Sequence, residues 1–330
     1  MTFPTEVRIR RTEDVVRTPW SGLRLRALLE TSTMTSSLIL CLALLGQAAD
    51  APKLDEKQLV KLLEPYYQEQ AAEYEFFLDE ARQQKCELVE KPVMRWTADG
   101  NSGAVWVWTR QGRAEVIGCL GAYVNPSGKL EGFHEFHALT VKPLQKVGIG
   151  TVRSWESQKP GVELKRLASA EEPAATDKLR LIQMRSLARE FTAQMRSGKN
   201  THTLRLTPTP LFRFQSTNPD VLDGALFSFL WDNGTDPEVL LLLEALKTAE
   251  GPRWHFTPVR FTWREVWLTR DEKELWRVPE HNEFWTSRAS RILRDHYVTC
   301  ATGVLDLEAT QAVIEPSRST TKPQTQEKSK

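Results

Sequence analysis

The chain has 330 residues, of which 40% are hydrophobic and 26% are charged, and its formal net charge at pH 7 is +1. This composition is ordinary for a globular protein, and it excludes both a largely disordered chain and a bundle of membrane helices. The chain lacks the basic excess of a nucleic-acid-binding protein, so we expect no nucleic-acid partner.

Residues 1–48 predict a preface followed by a secretory signal peptide. The apolar run from Leu38 to Leu45 is short, and small residues follow it up to Ala48. This order is typical of a signal peptide that is cleaved after the small residues. Because the run is too short to cross a bilayer as a helix, we expect no transmembrane span in the mature chain. The sequence therefore predicts export, to the periplasm or outside the cell, after cleavage near Ala48.

Two alternatives at this end of the chain stay open. Translation starts either at Met1 or at Met34, and the second choice removes the long Arg-bearing preface. A lipoprotein anchored at Cys41 is the alternative to cleavage after Ala48. It is disfavoured because bulky Leu40 stands where a small residue is expected.

Two segments have the spacing of amphipathic helices. In the first, which starts at Asp55 and restarts at Pro65, apolar residues recur at helical spacing as far as Ala81. In the second, Lys178 to Arg196, the apolar residues share one face. Gly198 follows its end, as glycine commonly does at helix C-termini.

The segment Gly103–Val124 predicts a β-hairpin. Trp106 and Trp108 alternate with valines, which is the period of a strand, and both faces are apolar. A turn at Arg110–Arg113 then leads into a second apolar run, Glu115–Tyr123. Since both faces are apolar, we expect the second face to be covered as well, by the other half of the chain or by a partner in the envelope.

The same pattern returns in Gly224–Ala245, where phenylalanines stand at the positions of the two tryptophans. The match extends upstream, because Pro92–Trp96 corresponds to Pro210–Phe214. Propensity alone favours a helix for the leucine-rich Glu238–Lys247. We predict a strand there because the repeat requires one.

From these patterns we predict an α+β fold of two tandem similar units, in each of which an amphipathic helix packs on a curved antiparallel β-sheet. The predicted divisions are a preface plus signal peptide at 1–48, a first unit at 54–158, a linker at 159–177, a second unit at 178–279, a C-terminal extension at 280–314 and a disordered tail at 315–330.

The densest cluster of chemically active side chains is His134-Glu135-Phe136-His137. It is not the HExxH motif of zinc proteases, and a strand sends His134 and His137 to opposite faces. Glu135 and His137 share a face, so they are the candidate acid/base pair or half of a metal site. A histidine that is hydrogen-bonded to its neighbours is the commoner arrangement. The sequence has no P-loop, GxGxxG, GxSxG or CxxC motif, and we predict neither a cofactor nor a metal.

A polar pair occurs in both halves, as Arg95 with Asp99 and Arg213 with Asp220. Arg95 and Arg213 are therefore candidate ligand-binding residues, for an anion in each of two equivalent clefts. The alternative is that each arginine pairs with a carboxylate and fixes the entry of a strand. Occurrence in both halves favours this alternative.

Removal of the signal peptide leaves Cys86, Cys119 and Cys300. Cys119 corresponds to Leu242 in the repeat, which predicts a small core residue. One disulfide among the three is compatible with export, and the sequence does not select its partners.

Several stretches make the chain similar to a group of uncharacterised secreted proteins of planctomycete-type bacteria. They are Asp223–Phe227 (DGALF), Gly234–Ala245 (GTDPEVLLLLEA), Val105–Val116 (VWVWTRQGRAEV) and Pro160–Glu163 (PGVE). The resemblance covers most of residues 55–280, and it implies export and a two-unit fold. It implies no particular reaction.

Two hypotheses on function follow. The first is an exported, non-enzymatic binding or structural module of the cell envelope, favoured by the signal peptide, the 11 tryptophans and the absence of a catalytic motif. The alternative is a small-molecule enzyme with a pocket between helix and curved sheet that uses Glu135 and His137.

Overall fold

The computed structural model describes residues 56–98, 101–125, 127–149, 153–231, 234–281 and 292–305. The predicted signal peptide, the tail at 315–330 and Asp99 lie outside these residues. The helices are α1 (Glu56–Ala72) and α2 (Asp177–Ala188). The strands are β1 (Glu87–Leu88), β2 (Met94–Ala98), β3 (Asn101–Arg110), β4 (Arg113–Val124), β5 (Leu130–Ala138), β6 (Val147–Ile149), β7 (Arg153–Trp155), β8 (Lys165–Arg166), β9 (Phe191–Ser197), β10 (Asn200–Thr203), β11 (Arg205–Leu206), β12 (Phe212–Phe214), β13 (Val221–Leu230), β14 (Pro237–Thr248), β15 (Gly251–Arg260), β16 (Val266–Arg270), β17 (Lys273–Val278), β18 (Ile292–Leu293) and β19 (Tyr297–Val304).

Two six-stranded sheets dominate the fold. In the first the order is β1-β3-β4-β5-β19, with β2 also paired to β3; in the second it is β11-β13-β14-β15-β8, with β12 paired to β13. A four-stranded sheet, β10-β9-β16-β17, and a three-stranded sheet, β18-β7-β6, complete the topology. Pairing within the six-stranded sheets is antiparallel, and one sheet curls into a half-barrel.

The hairpin β3–β4 is stabilised by a tight turn and by the burial of both faces of β3. Gln111 and Gly112 connect the strands, and both have positive φ, which is the backbone of a tight two-residue hairpin turn. Trp106 and Trp108 are buried on one face, against α1. Val105 and Val107 are buried on the other face, against the second six-stranded sheet. The alternation of valine and tryptophan in the sequence therefore corresponds to two buried faces of one strand.

The core between the two large sheets is apolar on both sides. The first sheet contributes Val105, Ile117 and Cys119, and the second contributes Leu240 and Leu242 among others. Each sheet therefore covers the second apolar face of the other, as the two-sided apolar strands led us to expect.

The predicted fold class, α+β with two tandem helix-on-sheet units, is wrong. Strands make up 51% of the structure and helices only 11%, and the described residues contain two helices. The central packing is sheet on sheet. In addition, β8 joins the second sheet from within the predicted linker, and β19 joins the first sheet from the predicted C-terminal extension. Periodicity indicates which residues form strands, but not which sheet faces meet.

The predicted helices are also shorter than expected. The second ends at Ala188, and Phe191–Ser197 is strand β9, in which Phe191, Ala193 and Met195 alternate with more exposed residues. The first ends at Ala72, so the apolar residues that follow it lie in turns and one short bridge. A short apolar segment fits both the helical period of 3.6 residues and the strand period of two. In Phe191–Ser197, pairing with neighbouring strands decided in favour of the strand.

The leucine-rich segment is strand β14, as the repeat predicted. The two large sheets also share a local register: Trp96 lies opposite Gly103, and Phe214 lies opposite Gly224. In both places the aromatic ring covers the glycine so closely that a Cβ would lie within 3 Å of ring atoms. The two glycines therefore leave room for a ring on the adjacent strand.

Candidate functional site

Glu135 and His137 lie two residues apart on β5 and face the core between the large sheets. Glu135 is paired with Cys119 of β4 and Thr299 of β19, and His137 with Tyr297 of β19. Both side chains are buried. The prediction that they share a face is correct, and the face is internal.

The carboxyl group of Glu135 accepts a hydrogen bond from the hydroxyl group of Tyr297. The pKa of Glu135 is raised to about 7, mainly by burial and to a smaller extent by the charge of Glu238. The Tyr297 hydrogen bond and the charges of Arg260 and Arg264 act in the opposite direction. Glu135 therefore titrates near neutral pH within the core.

The imidazole of His137 donates from Nδ1 to the carbonyl oxygen of Ala138, at 2.7 Å. This bond fixes the tautomer, because a carbonyl group only accepts. Burial lowers the pKa of His137 to about 3, with a smaller contribution from His296, whose ring centroid is 4.9 Å away. His137 is therefore neutral at physiological pH and is bonded to its own main chain.

Charged groups of β14 and of the segment at and after the end of β15 act on Glu135 across the core. Glu238 at the start of β14 is 97% buried, and its pKa is raised by burial. The guanidinium of Arg264 lies 3.9 Å from Glu238 and sits over the rings of Trp231 and Trp263, at 4.9 and 4.8 Å from their centroids. The aromatic faces and the carboxylate together hold the Arg264 charge.

A second buried polar cluster joins the two sheets through Arg113 of β4. Its guanidinium makes a bidentate pair with Glu244 of β14, from Nε to Oε1 at 2.8 Å and from Nη2 to Oε2 at 3.1 Å. Nη1 also donates to Glu115, at 2.9 Å, and to the carbonyl oxygen of Leu139, at 2.9 Å. Sequence reasoning missed this cluster; the available signal was Glu244, a carboxylate that directly follows four leucines in β14.

The two candidate ligand-binding arginines are engaged within the fold. Arg95 on β2 is about half exposed and pairs with Glu64 of α1. Arg213 on β12 forms a bidentate pair with Asp223, not with Asp220, with nitrogen–oxygen distances of 3.1 and 2.7 Å. Arg180 of α2 contacts the same fully buried carboxylate at 2.9 Å. These contacts agree with the interpretation of strand-fixing ion pairs.

Two open clefts are each lined by one histidine. One, of about 390 Å³, is lined by Lys159, Lys165, Trp276 and His296 among others. The other, of about 380 Å³, lies beside the end of α1 and is lined by His134. Neither is lined by Glu135 or His137, so the two members of the candidate acid/base pair do not converge on a described cleft.

The described residues contain no group of three or more His, Cys, Asp or Glu side chains arranged to hold a metal ion. Cys86, Cys119 and Cys300 are free and buried, and burial raises the pKa of each thiol. Cys119 lies opposite Val105 in the core between the sheets, as a small core residue should. Among the helices described, none is long and apolar enough to cross a membrane.

Comparison with known proteins gave no match: no family model, no curated protein and no solved structure is significantly similar to this chain.

Proposed function

We propose that the protein is an exported, non-enzymatic binding or structural module of the cell envelope. The apolar run before Ala48 and the small residues that follow it support export. The two large sheets stack, and the buried ion pair between Arg113 and Glu244 connects one sheet to the other.

The arrangement of Glu135 and His137 carries this proposal. A general acid or base has to reach the reacting proton directly or through one water molecule. Both side chains are buried, each is hydrogen-bonded within the protein, and neither lines a described cleft. The raised pKa of Glu135 then follows from burial in a structural core.

The test is a screen of envelope components, such as sugars, peptides and amines, for compounds that raise the melting temperature of the full chain. A ligand that binds only the native state raises this temperature. We expect a ligand that is recovered chemically unchanged and that binds the Glu135→Gln variant equally well. Conversion of the ligand at a rate that falls in Glu135→Gln would overturn the proposal in favour of the enzyme hypothesis.

A further inference from the structure

The cleft beside α1 combines a fixed aromatic wall with a single negative charge. Tyr66 and Gln70 of α1, Glu73 and Tyr74 just after the helix, His134 of β5 and Thr302 of β19 line it. Its volume of about 380 Å³ lies within the range of small-ligand sites.

Tyr74 and His134 form the rigid part of the wall. The hydroxyl group of Tyr74 is 2.5 Å from Nδ1 of His134, and the Tyr74 ring stacks on Phe76 with a centroid distance of 5.8 Å. Burial lowers the pKa of His134 to about 4, so the imidazole is neutral and accepts the Tyr74 proton in the hydrogen bond. The wall thus contributes aromatic surface and no positive charge.

The electrostatics of the cleft favour a cation. None of the described residues that line it is lysine or arginine, whereas Glu73 is exposed and carries a carboxylate. The last turn of α1 has no basic residue, so the partial negative charge of the helix C-terminus adds to that of Glu73. The negative charge of Glu73 also acts on Tyr66. Burial is the main reason that the pKa of Tyr66 is raised, and the charges of Glu73 and Glu69 contribute in the same direction.

We propose that this cleft binds a small organic cation with an ammonium group, held between the face of the Tyr66 ring and the carboxylate of Glu73. Aromatic faces attract such cations, and quaternary ammonium groups are bound in this way because they cannot be held by strong hydrogen bonds. An anion is disfavoured by Glu73 and by the helix end. The inference rests on the proposed function, since it names the ligand class of a binding module.

The probes are choline, n-butylammonium and 3,3-dimethylbutan-1-ol, which is the neutral carbon isostere of choline. Binding to the full chain is measured by titration calorimetry at low salt. We expect choline to bind about tenfold more tightly than the isostere, which corresponds to the usual strength of a cation–π contact with a carboxylate nearby. Binding of choline should weaken as salt is added, because Glu73 is exposed.

The variants separate the two contacts. Glu73→Gln should weaken choline binding about three- to tenfold and leave binding of the isostere unchanged, whereas Tyr66→Leu should weaken choline binding while keeping an apolar side chain. Glu80→Gln, which removes another exposed carboxylate outside the cleft, is the matched control and should have no effect. The melting temperature of each variant reports whether it is folded.

The inference is overturned if neither cation binds more tightly than the isostere, or if binding is the same in Glu73→Gln and Tyr66→Leu as in the original chain. This failure is distinct from failure of the proposed function, which would show as Glu135-dependent conversion of a ligand.

Discussion

Replacement of Glu135 by glutamine should change how stability depends on pH. Glutamine keeps an oxygen that accepts the Tyr297 hydrogen bond but cannot ionise. In the native protein the pKa of Glu135 is about 7, against an ordinary value of 4.5. The native state therefore holds its proton more tightly than the unfolded chain does.

The sign follows from this difference. Between pH 4.5 and 7 the native carboxyl is protonated and the unfolded one is not, so the free energy of unfolding falls as the pH rises. The contribution of Glu135 is fully present below about pH 4.5 and is lost above about pH 7. The shift in pKa corresponds to about 3 kcal/mol. Glu115, with a pKa also raised to about 7 by burial, adds a loss of the same sign.

The assay is urea unfolding of the original chain and of Glu135→Gln at pH 5, 6, 7 and 8. We expect the variant to gain about 2.5 kcal/mol relative to the original chain between pH 5 and pH 8, because part of the effect falls below pH 5. The exposed Glu80→Gln should give a curve parallel to that of the original chain. Parallel curves for Glu135→Gln as well would refute the assignment of a raised pKa to this buried carboxyl.

Three further predictions concern the core and the N-terminus. Trp108→Ala should lower the free energy of unfolding by about 3 to 5 kcal/mol in urea titrations, because the ring packs against Phe76 at 5.0 Å; a loss below about 1 kcal/mol would mean that this face is open. Arg113→Met should cost about 3 to 5 kcal/mol by leaving Glu244 buried without its partner, and the double variant with Glu244→Leu should recover part of that loss. No recovery would show that the pair is not coupled. Mass spectrometry of the exported protein should find an N-terminus at or near Ala49, and an intact Met1 would contradict the signal-peptide prediction.

Strands could be predicted where a repeat and a two-residue period agreed. In β3 the alternation of valine and tryptophan was visible in the sequence, and in β14 the repeat outweighed a helical propensity. Phe191, Ala193 and Met195 were assigned to a helix because a short apolar run satisfies both periods. Only pairing of β9 with β16 and β10 resolves the choice.

The environment of the candidate acid/base pair could not be predicted. The spacing of Glu135 and His137 placed them on one face of a strand, as observed. Nothing near them in sequence indicates that Tyr297, more than 150 residues later, occupies the neighbouring strand and hydrogen-bonds Glu135. The same holds for Arg113 and Glu244, which meet only because the two large sheets stack.

The position of β19 has a consequence for synthesis on the ribosome. Strand β5 pairs on one side with β4, its near neighbour in the chain, and on the other side with β19, which is translated much later. Until β19 emerges, the edge of β5 presents unpaired main-chain groups beside Phe133 and Phe136, which is a template for pairing with other chains. The first sheet is therefore begun early and closed late, and a truncation before Tyr297 should yield an aggregating chain rather than a smaller folded one.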